Sequence, residues 1–158
     1  MILKNLKRSL VIGVAVLGCS ALALAQASIA VVVNPRNSQS NIAMGDLRRV
    51  FIGDKRTWPD GSPVKLFTRA PGTPEHDSML KVIAMSEVEY KQYWRSKVYQ
   101  GDAQSEPAVL PSNGMQREAL RAYPGGIALV DSTEVKDGMK VLKVDGKMPG
   151  DVGYPLQR

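Results

Sequence analysis

The stretch VKLFTRAPGTPEHDSML, residues 64–80, contains a complete strand, loop and helix start. Val64–Thr68 is rich in β-branched and aromatic residues, which predicts a strand. In the loop that follows, Thr73 is the predicted N-cap of a helix and Pro74 its first residue, where the missing N–H costs nothing. The buried side of that helix is predicted to consist of Met79, Leu80, Val82 and Ile83.

This strand–loop–helix has the chemistry to bind an anion. Helix N-termini present unpaired N–H groups and partial positive charge, Gly72 lets the backbone approach closely, and Arg69 offers a bidentate fork to an oxyanion. An opposite interpretation is equally open. Thr73 already caps the helix, while Glu75 and Asp77 already complement its dipole by about 0.3–1 kcal/mol each and repel an incoming anion.

Upstream of this stretch, the sequence predicts one more strand and one more helix. The apolar run Ala30–Asn34 predicts a buried strand. Ser38 and Ser40 are candidate caps for a helix that ends at Gly53. The apolar stripe of that helix repeats at i, i+3 and i+7 through Met44, Leu47 and Phe51.

Downstream, helical and strand patterns alternate. Ser86-Glu87-Val88-Glu89 is a capping box, and the helix after it carries an aromatic stripe that predicts core packing. Ser112 is the candidate cap of the next helix, and Ile127–Val130 and Val141–Val144 are predicted strands. The alternation predicts an α/β domain with a central sheet flanked by helices. The predicted stripes are Tyr90, Tyr93, Trp94 and Val98 on the first helix and Met115, Ala119 and Tyr123 on the second.

The first 25 residues have the pattern of a secretory signal peptide. Three basic residues precede an apolar run that is short for a membrane span, and Ala23-Leu24-Ala25 is a typical cleavage site. We expect cleavage after Ala25, with Ala27 second, and a domain over residues 26–158 in the periplasm, without a transmembrane span. An alternative is a lipoprotein signal in which Cys19 is acylated.

Composition excludes several function classes. Removal of three basic leader residues lowers the formal net charge from +6 to +3, and the remaining basic residues are dispersed, so nucleic acid is not an expected partner. Cleavage also removes the only cysteine, and His76 is the only histidine, so the residues predict neither a metal site nor a Cys–His or Ser–His–Asp centre. We therefore expect no enzyme activity and no cofactor, and an exposed His76.

A series of spaced motifs resembles the phosphate ABC-transporter substrate-binding proteins, of the type II periplasmic binding class, over nearly all of residues 26–158. The shared series comprises Val33-Asn34-Pro35, Asp46-Leu47, Val50-Phe51-Ile52-Gly53, Trp58, Arg69 with Gly72-Thr73, Pro124-Gly125-Gly126-Ile127, Val144-Asp145-Gly146 and Tyr154-Pro155-Leu156. The resemblance implies a single periplasmic-binding-protein-like lobe with a central mixed sheet. It also implies binding of phosphate or a related oxyanion by Arg69, Gly72 and Thr73, in uptake or sensing.

Two departures from the family pattern bear on function. Pro71 stands where the family has a serine, which removes one hydroxyl donor. Full-length members close two lobes over the anion, whereas this sequence resembles only one, so we expect weak binding. The alternative is a scaffold lobe without ligand that contacts another envelope protein through aromatic surface near Trp58 or Trp94, and self-association is a further option.

Overall fold

The computed structural model describes residues 27–158, so the predicted signal peptide and Cys19 lie outside the described residues. Six strands and four α-helices alternate along this part of the chain. The strands are β1 (Ile29–Val33), β2 (Asn41–Ile42), β3 (Lys65–Arg69), β4 (Ala108–Leu110), β5 (Gly126–Asp131) and β6 (Lys140–Val144). The helices are α1 (Met44–Phe51), α2 (Pro74–Ile83), α3 (Glu87–Tyr99) and α4 (Asn113–Ala122), with a short 3-10 turn at Ser132–Glu134.

The strands form one mixed sheet in the order β2-β6-β1-β5-β3-β4. β1 is antiparallel to both of its neighbours, β5 and β6, while the β2–β6, β5–β3 and β3–β4 pairs are parallel. Five strands therefore run in one direction and their carboxyl ends meet at one edge. The predicted α/β lobe with a central mixed sheet is confirmed.

Helices cover both faces of this sheet, because both faces of its central strands are apolar. Along β1 the alternate residues Val31 and Val32 belong to different clusters of buried side chains. The larger cluster contains Val31 and buried residues of α1, α2 and α3. The smaller cluster contains Val32 and Leu120 of α4. α2 and α4 consequently pack on opposite faces. No helix within residues 27–158 is long and apolar enough to cross a membrane.

Several local predictions are confirmed. Thr73 accepts a hydrogen bond from the His76 N–H, as an N-cap does, and Pro74 is the first residue of α2. Ser86 and Glu89 form both halves of the capping box at α3. Ser112 accepts from the Met115 N–H at the start of α4.

Other predictions about the elements are wrong, each because a distant part of the chain intervenes. β2 and β4 were not expected, since two or three residues carry no periodicity and only the neighbouring strands define them. Neither Ser38 nor Ser40 caps α1. Instead the Asp145 carboxylate, at the turn after β6, accepts from the Met44 N–H at 3.0 Å.

The buried face of α4 also differs from the predicted one. Met115 and Tyr123 are about half exposed, whereas Gln116 and Leu120 are fully buried against the sheet. Because Gln116 is polar, the buried face of α4 lacks a continuous apolar repeat. The apolar residues of the neighbouring face therefore gave the wrong prediction.

The aromatic stripe of α3 does lie in the core. Tyr90 and Trp94 are buried, and the Trp94 ring packs so closely on the backbone of Gly53 that a Cβ there would lie 2.5 Å from Cη2. Trp58 is also buried, and its Nε1 donates to the Gly125 carbonyl at 3.0 Å. Neither tryptophan forms the partner surface that the scaffold hypothesis placed near them.

Candidate functional site

The candidate site lies at the carboxyl edge of the parallel strands β5, β3 and β4. Ligands of open α/β sheets bind in the crevice outside the carboxyl ends of strands, where the connecting loops meet. Here that edge is formed by Asp131, Arg69 and Leu110, the last residues of the three strands. The N-termini of α2 and α4 approach it from opposite faces, and the side chain of Asn113 bridges them by donating to Glu75 at 3.0 Å.

The loop from Arg69 to Thr73 forms a tight link between β3 and α2. Gly72 adopts a left-handed backbone with φ of +82°, a conformation that glycine adopts without strain, and open space lies beside its Cα. The Thr73 hydroxyl donates to the Ala70 carbonyl at 2.8 Å and accepts from the His76 N–H at 3.4 Å. Thr73 thus orders the loop and the helix start, and its proton is already used.

Other donors of the loop remain available. The Gly72 and Glu75 N–H groups form no hydrogen bond within residues 27–158. Arg69 donates from Nη1 to the Leu110 carbonyl at 3.1 Å, which directs its guanidinium along the edge towards β4. The structure therefore brings the three predicted residues Arg69, Gly72 and Thr73 together in one loop, and their binding to an anion stays a prediction.

The Glu75 side chain lies in the protein interior at this edge of the sheet. It is buried, and one carboxylate oxygen accepts from Asn113 Nδ2 and, at 3.4 Å, from the Asp131 N–H. Its position in the first helical turn predicted only that Glu75 complements the helix dipole. Instead Glu75 satisfies a strand N–H that no neighbouring strand reaches, because the β3–β5 ladder stops at Leu66 and Ile127.

His76 corrects the expectation of an exposed residue, since it is only 3% exposed. Its Nδ1 lies 3.0 Å from the Arg69 carbonyl and its Nε2 lies 2.6 Å from Glu87 Oε2. Both partners are acceptors, so the ring serves as a double donor when both nitrogens carry protons. It ties the end of β3 to the first residue of α3, and no nucleophile lies among these contacts.

The Glu87 carboxylate is stabilised in its charged form. Partial burial raises its pKa, but hydrogen bonds from His76 and from Lys91, whose Nζ lies 3.1 Å from Oε1, together outweigh burial. The pKa of Glu87 therefore lies below its ordinary value of 4.5. The carboxylate stays ionised at neutral pH and anchors His76 beside the loop.

Charges of both signs surround the edge. Asp131 accepts from the hydroxyl and N–H of Thr133 at 2.7 and 2.9 Å. The Thr133 bonds, together with Arg158 at 3.1 Å, hold the pKa of Asp131 below its ordinary value despite partial burial. Arg158 pairs with Asp131, and Arg69 and Glu75 line one cavity near the same edge. Positive and negative charges therefore offset each other, and the local field favours an anion only weakly.

A larger concavity lies elsewhere in the described residues. An open cleft of about 460 Å³ flanks the beginning of β3, at the opposite end of the strand from Arg69. Its lining mixes charges of both signs around an apolar floor, so it shows no preference for an anion. Among its lining residues are Lys55, Arg56, Lys65, Trp94, Asp102 and Glu106.

The sequence patterns did not identify the side chains of α4 and β5 that lie near the Arg69–Thr73 loop. Gln116, Asn113 and Asp131 come from α4 and β5 and carried no motif. A glutamine one turn after the Ser112 cap gives no sign of burial, because glutamine is usually exposed in helices. Only the packing of α4 on the sheet reveals it.

Comparison with solved structures finds the same fold in part of several phosphate transport proteins. No model of a known protein family matches the chain. A phosphate ABC transporter substrate-binding protein from Clostridium perfringens, solved with bound phosphate, matches with a TM-score of 0.68 and 16% identity, over 85% of this chain and 54% of that one. PstS from Borrelia burgdorferi gives a TM-score of 0.65 and 17% identity, over 85% and 55%.

A third structure gives the same result. An ABC-type phosphate transport receptor from Vibrio cholerae matches with a TM-score of 0.63 and 16% identity, over 79% of this chain and 49% of that one. This chain spans about half the length of the structures it matches. At these identities the likeness establishes the fold, which is that of one part of these transport receptors.

Proposed function

We propose that the chain is a binding protein for phosphate or a related oxyanion, and that the Arg69–Thr73 loop is its site. The observation that carries the proposal is the position of this loop. Arg69 and the Gly72 and Glu75 N–H groups belong to one loop and helix start, which lie at the carboxyl edge of parallel strands. Arginine and helix N-terminal N–H groups are the donors that phosphate sites use.

Binding at this loop is weak. The site lies at an open edge, the Thr73 hydroxyl is occupied by Ala70, and Glu75 brings negative charge nearby. An anion there keeps much of its hydration, so the affinity is about millimolar, on the order of −4 kcal/mol. A second chain that covers the edge would raise this affinity, so the affinity depends on the oligomeric state.

The proposed setting is the bacterial periplasm, in phosphate uptake or sensing. The solved structures are described as phosphate transport proteins, and the first 25 residues have the pattern of a cleavable leader. The proposed role is binding and not catalysis, for a domain over residues 26–158. N-terminal sequencing of the exported protein tests the setting: a start at Gln26 or Ser28 supports it, and a lipid-modified Cys19 contradicts it.

Calorimetric titration of phosphate into the wild type and Arg69→Ala tests the site. A hydrogen bond to a charged group contributes about 1.5–3 kcal/mol, so Arg69→Ala weakens binding about tenfold to a hundredfold. Arg95→Ala is the matched control, because Arg95 is exposed on α3 and its loss changes the net charge equally. Equal affinity in all three proteins would locate the site elsewhere.

The alternative function is a scaffold lobe that contacts another envelope protein and binds no anion. Its specific support is the occupied Thr73 hydroxyl, together with exposed apolar side chains such as Tyr99, which is 93% exposed at the end of α3. This alternative predicts no phosphate binding at any accessible concentration. It also predicts that Tyr99→Ser abolishes capture of a defined partner.

A further inference from the structure

The strands β3 and β5 separate towards the candidate site. Their ladder contains only the pairs Lys65–Gly126 and Leu66–Ile127. Beyond these pairs, β3 bonds to β4 and β5 bonds to β1, each on its far side. A small, partly open cavity of about 10 Å³ lies where the two strands separate, and Arg69 is among its lining residues.

Two of the polar residues that line this cavity have side-chain atoms without protein partners in the described part of the chain. Gln116 is 0% exposed, and neither its Oε1 nor its Nε2 forms a hydrogen bond within residues 27–158. Arg69 Nε is also buried without a partner in that range. Both residues line the cavity, together with Thr68, Glu75 and His76. A buried polar group without a hydrogen bond destabilises the folded state, so folded proteins pair nearly all of them.

We propose that the cavity between β3 and β5 is a binding site for one buried water molecule, which joins Gln116 to Arg69. A cavity of this volume is just large enough for one water and far too small for phosphate. The water accepts from Arg69 Nε–H and donates to Gln116 Oε1, which satisfies a donor and an acceptor at once. Gln116 is then a positioning residue that orients the guanidinium from behind.

The first test is direct detection of the water in the full chain. High-resolution crystallography and water–protein nuclear Overhauser effects on the wild type should show one ordered, long-lived water between Gln116 and Arg69. In Gln116→Met, which keeps the length of the side chain but removes its polar atoms, the water should be absent. A wild-type cavity without a water would overturn the inference.

The sign of the stability change gives a second, independent test. If the Gln116 amide were dry and unpaired, Gln116→Met would raise the urea midpoint of unfolding, because an unpaired buried polar group is removed. With a bound water, Gln116→Met lowers the midpoint, since the water and the Arg69 Nε bond are lost together. Leu120→Met is the control, because it places a methionine at a fully buried position one turn further along α4 and removes no polar group.

The effect on Arg69 can be measured with and without phosphate. The ¹⁵Nε signal of Arg69 should shift in Gln116→Met and stay in place in Leu120→Met, and an unchanged signal contradicts the positioning role. Phosphate binding by Gln116→Met should weaken about fivefold, as expected for the loss of one hydrogen bond on the arginine. This last readout depends on the proposed function; failure of the wild type to bind phosphate refutes that function and leaves the water test intact.

Discussion

The helices α2 and α3 both begin with a side-chain hydroxyl as N-cap, but only α3 has a complete capping box. At α3 the Ser86 hydroxyl accepts from the Glu89 N–H, and the Glu89 carboxylate accepts from the Ser86 N–H at 2.7 Å. At α2 the Thr73 hydroxyl accepts from His76, but no carboxylate of the described residues folds back onto the N-cap, and the Gly72 and Glu75 N–H groups remain available. We call the start of α3 closed, because its own side chains form the hydrogen bonds there, and the start of α2 open, because N–H groups there have no partner within residues 27–158.

The difference shows what a helix N-terminus needs in order to be a candidate site. All helices carry unpaired N–H groups at their starts, and most satisfy them locally. The residue at the third helical position decides the outcome here: Glu89 folds back onto its own cap, whereas His76 turns into the protein to reach Glu87. His76 therefore links the open start to the closed one.

The largest expected effect comes from breaking this link. His76→Ala removes a buried ring together with its contacts to Arg69 and Glu87 and leaves a cavity, so we expect it to lower the free energy of unfolding by about 2–4 kcal/mol. Urea denaturation at neutral pH measures the change. Lys81→Ala, at an exposed position of the same helix, should stay within about 0.5 kcal/mol of the wild type. A His76 variant as stable as the Lys81 variant would contradict the link.

A matched pair of cap substitutions sharpens the comparison. Thr73→Ala and Ser86→Ala should each cost about 1 kcal/mol of unfolding free energy, because each removes one N-cap. Only Thr73→Ala should also weaken phosphate binding, since Thr73 orders the loop through Ala70. Denaturation and calorimetry on both variants give the comparison, and an equal loss of phosphate affinity would show that the open start has no special role.

The smallest expected effect concerns pH. The pKa of Glu87 is lowered in the folded protein, so its stabilising contribution is present above its ordinary value of 4.5 and is lost as the pH falls through the folded value. Glu87→Gln should therefore destabilise the protein near neutral pH, and the difference from wild type should shrink below about pH 4.5. Denaturation from about pH 6 to about pH 3 measures it. A difference that is constant over this range would show that the charge of Glu87 does not stabilise the fold.

The sequence alone determined the features that depend on residues at most four positions apart. The Thr73–Pro74 helix start, the Ser86–Glu89 capping box and the Ser112 cap are such features, and each lies where the pattern predicted it. The strands β1, β3, β5 and β6 were predicted to within about one residue at each end, because their apolar runs are long enough to specify burial. The loop Arg69–Thr73 follows from the same local signals.

Only the tertiary structure decided how these pieces meet. The cap of α1 comes from Asp145, the burial of His76 comes from Glu87 on the next helix, and Gln116 is buried because α4 packs over the point where β3 and β5 separate. These relations join residues that are far apart in sequence, and no propensity or spacing encodes them. Local patterns specify which groups a segment offers, whereas the packing of the sheet and helices decides which of those groups find partners and which remain unpaired.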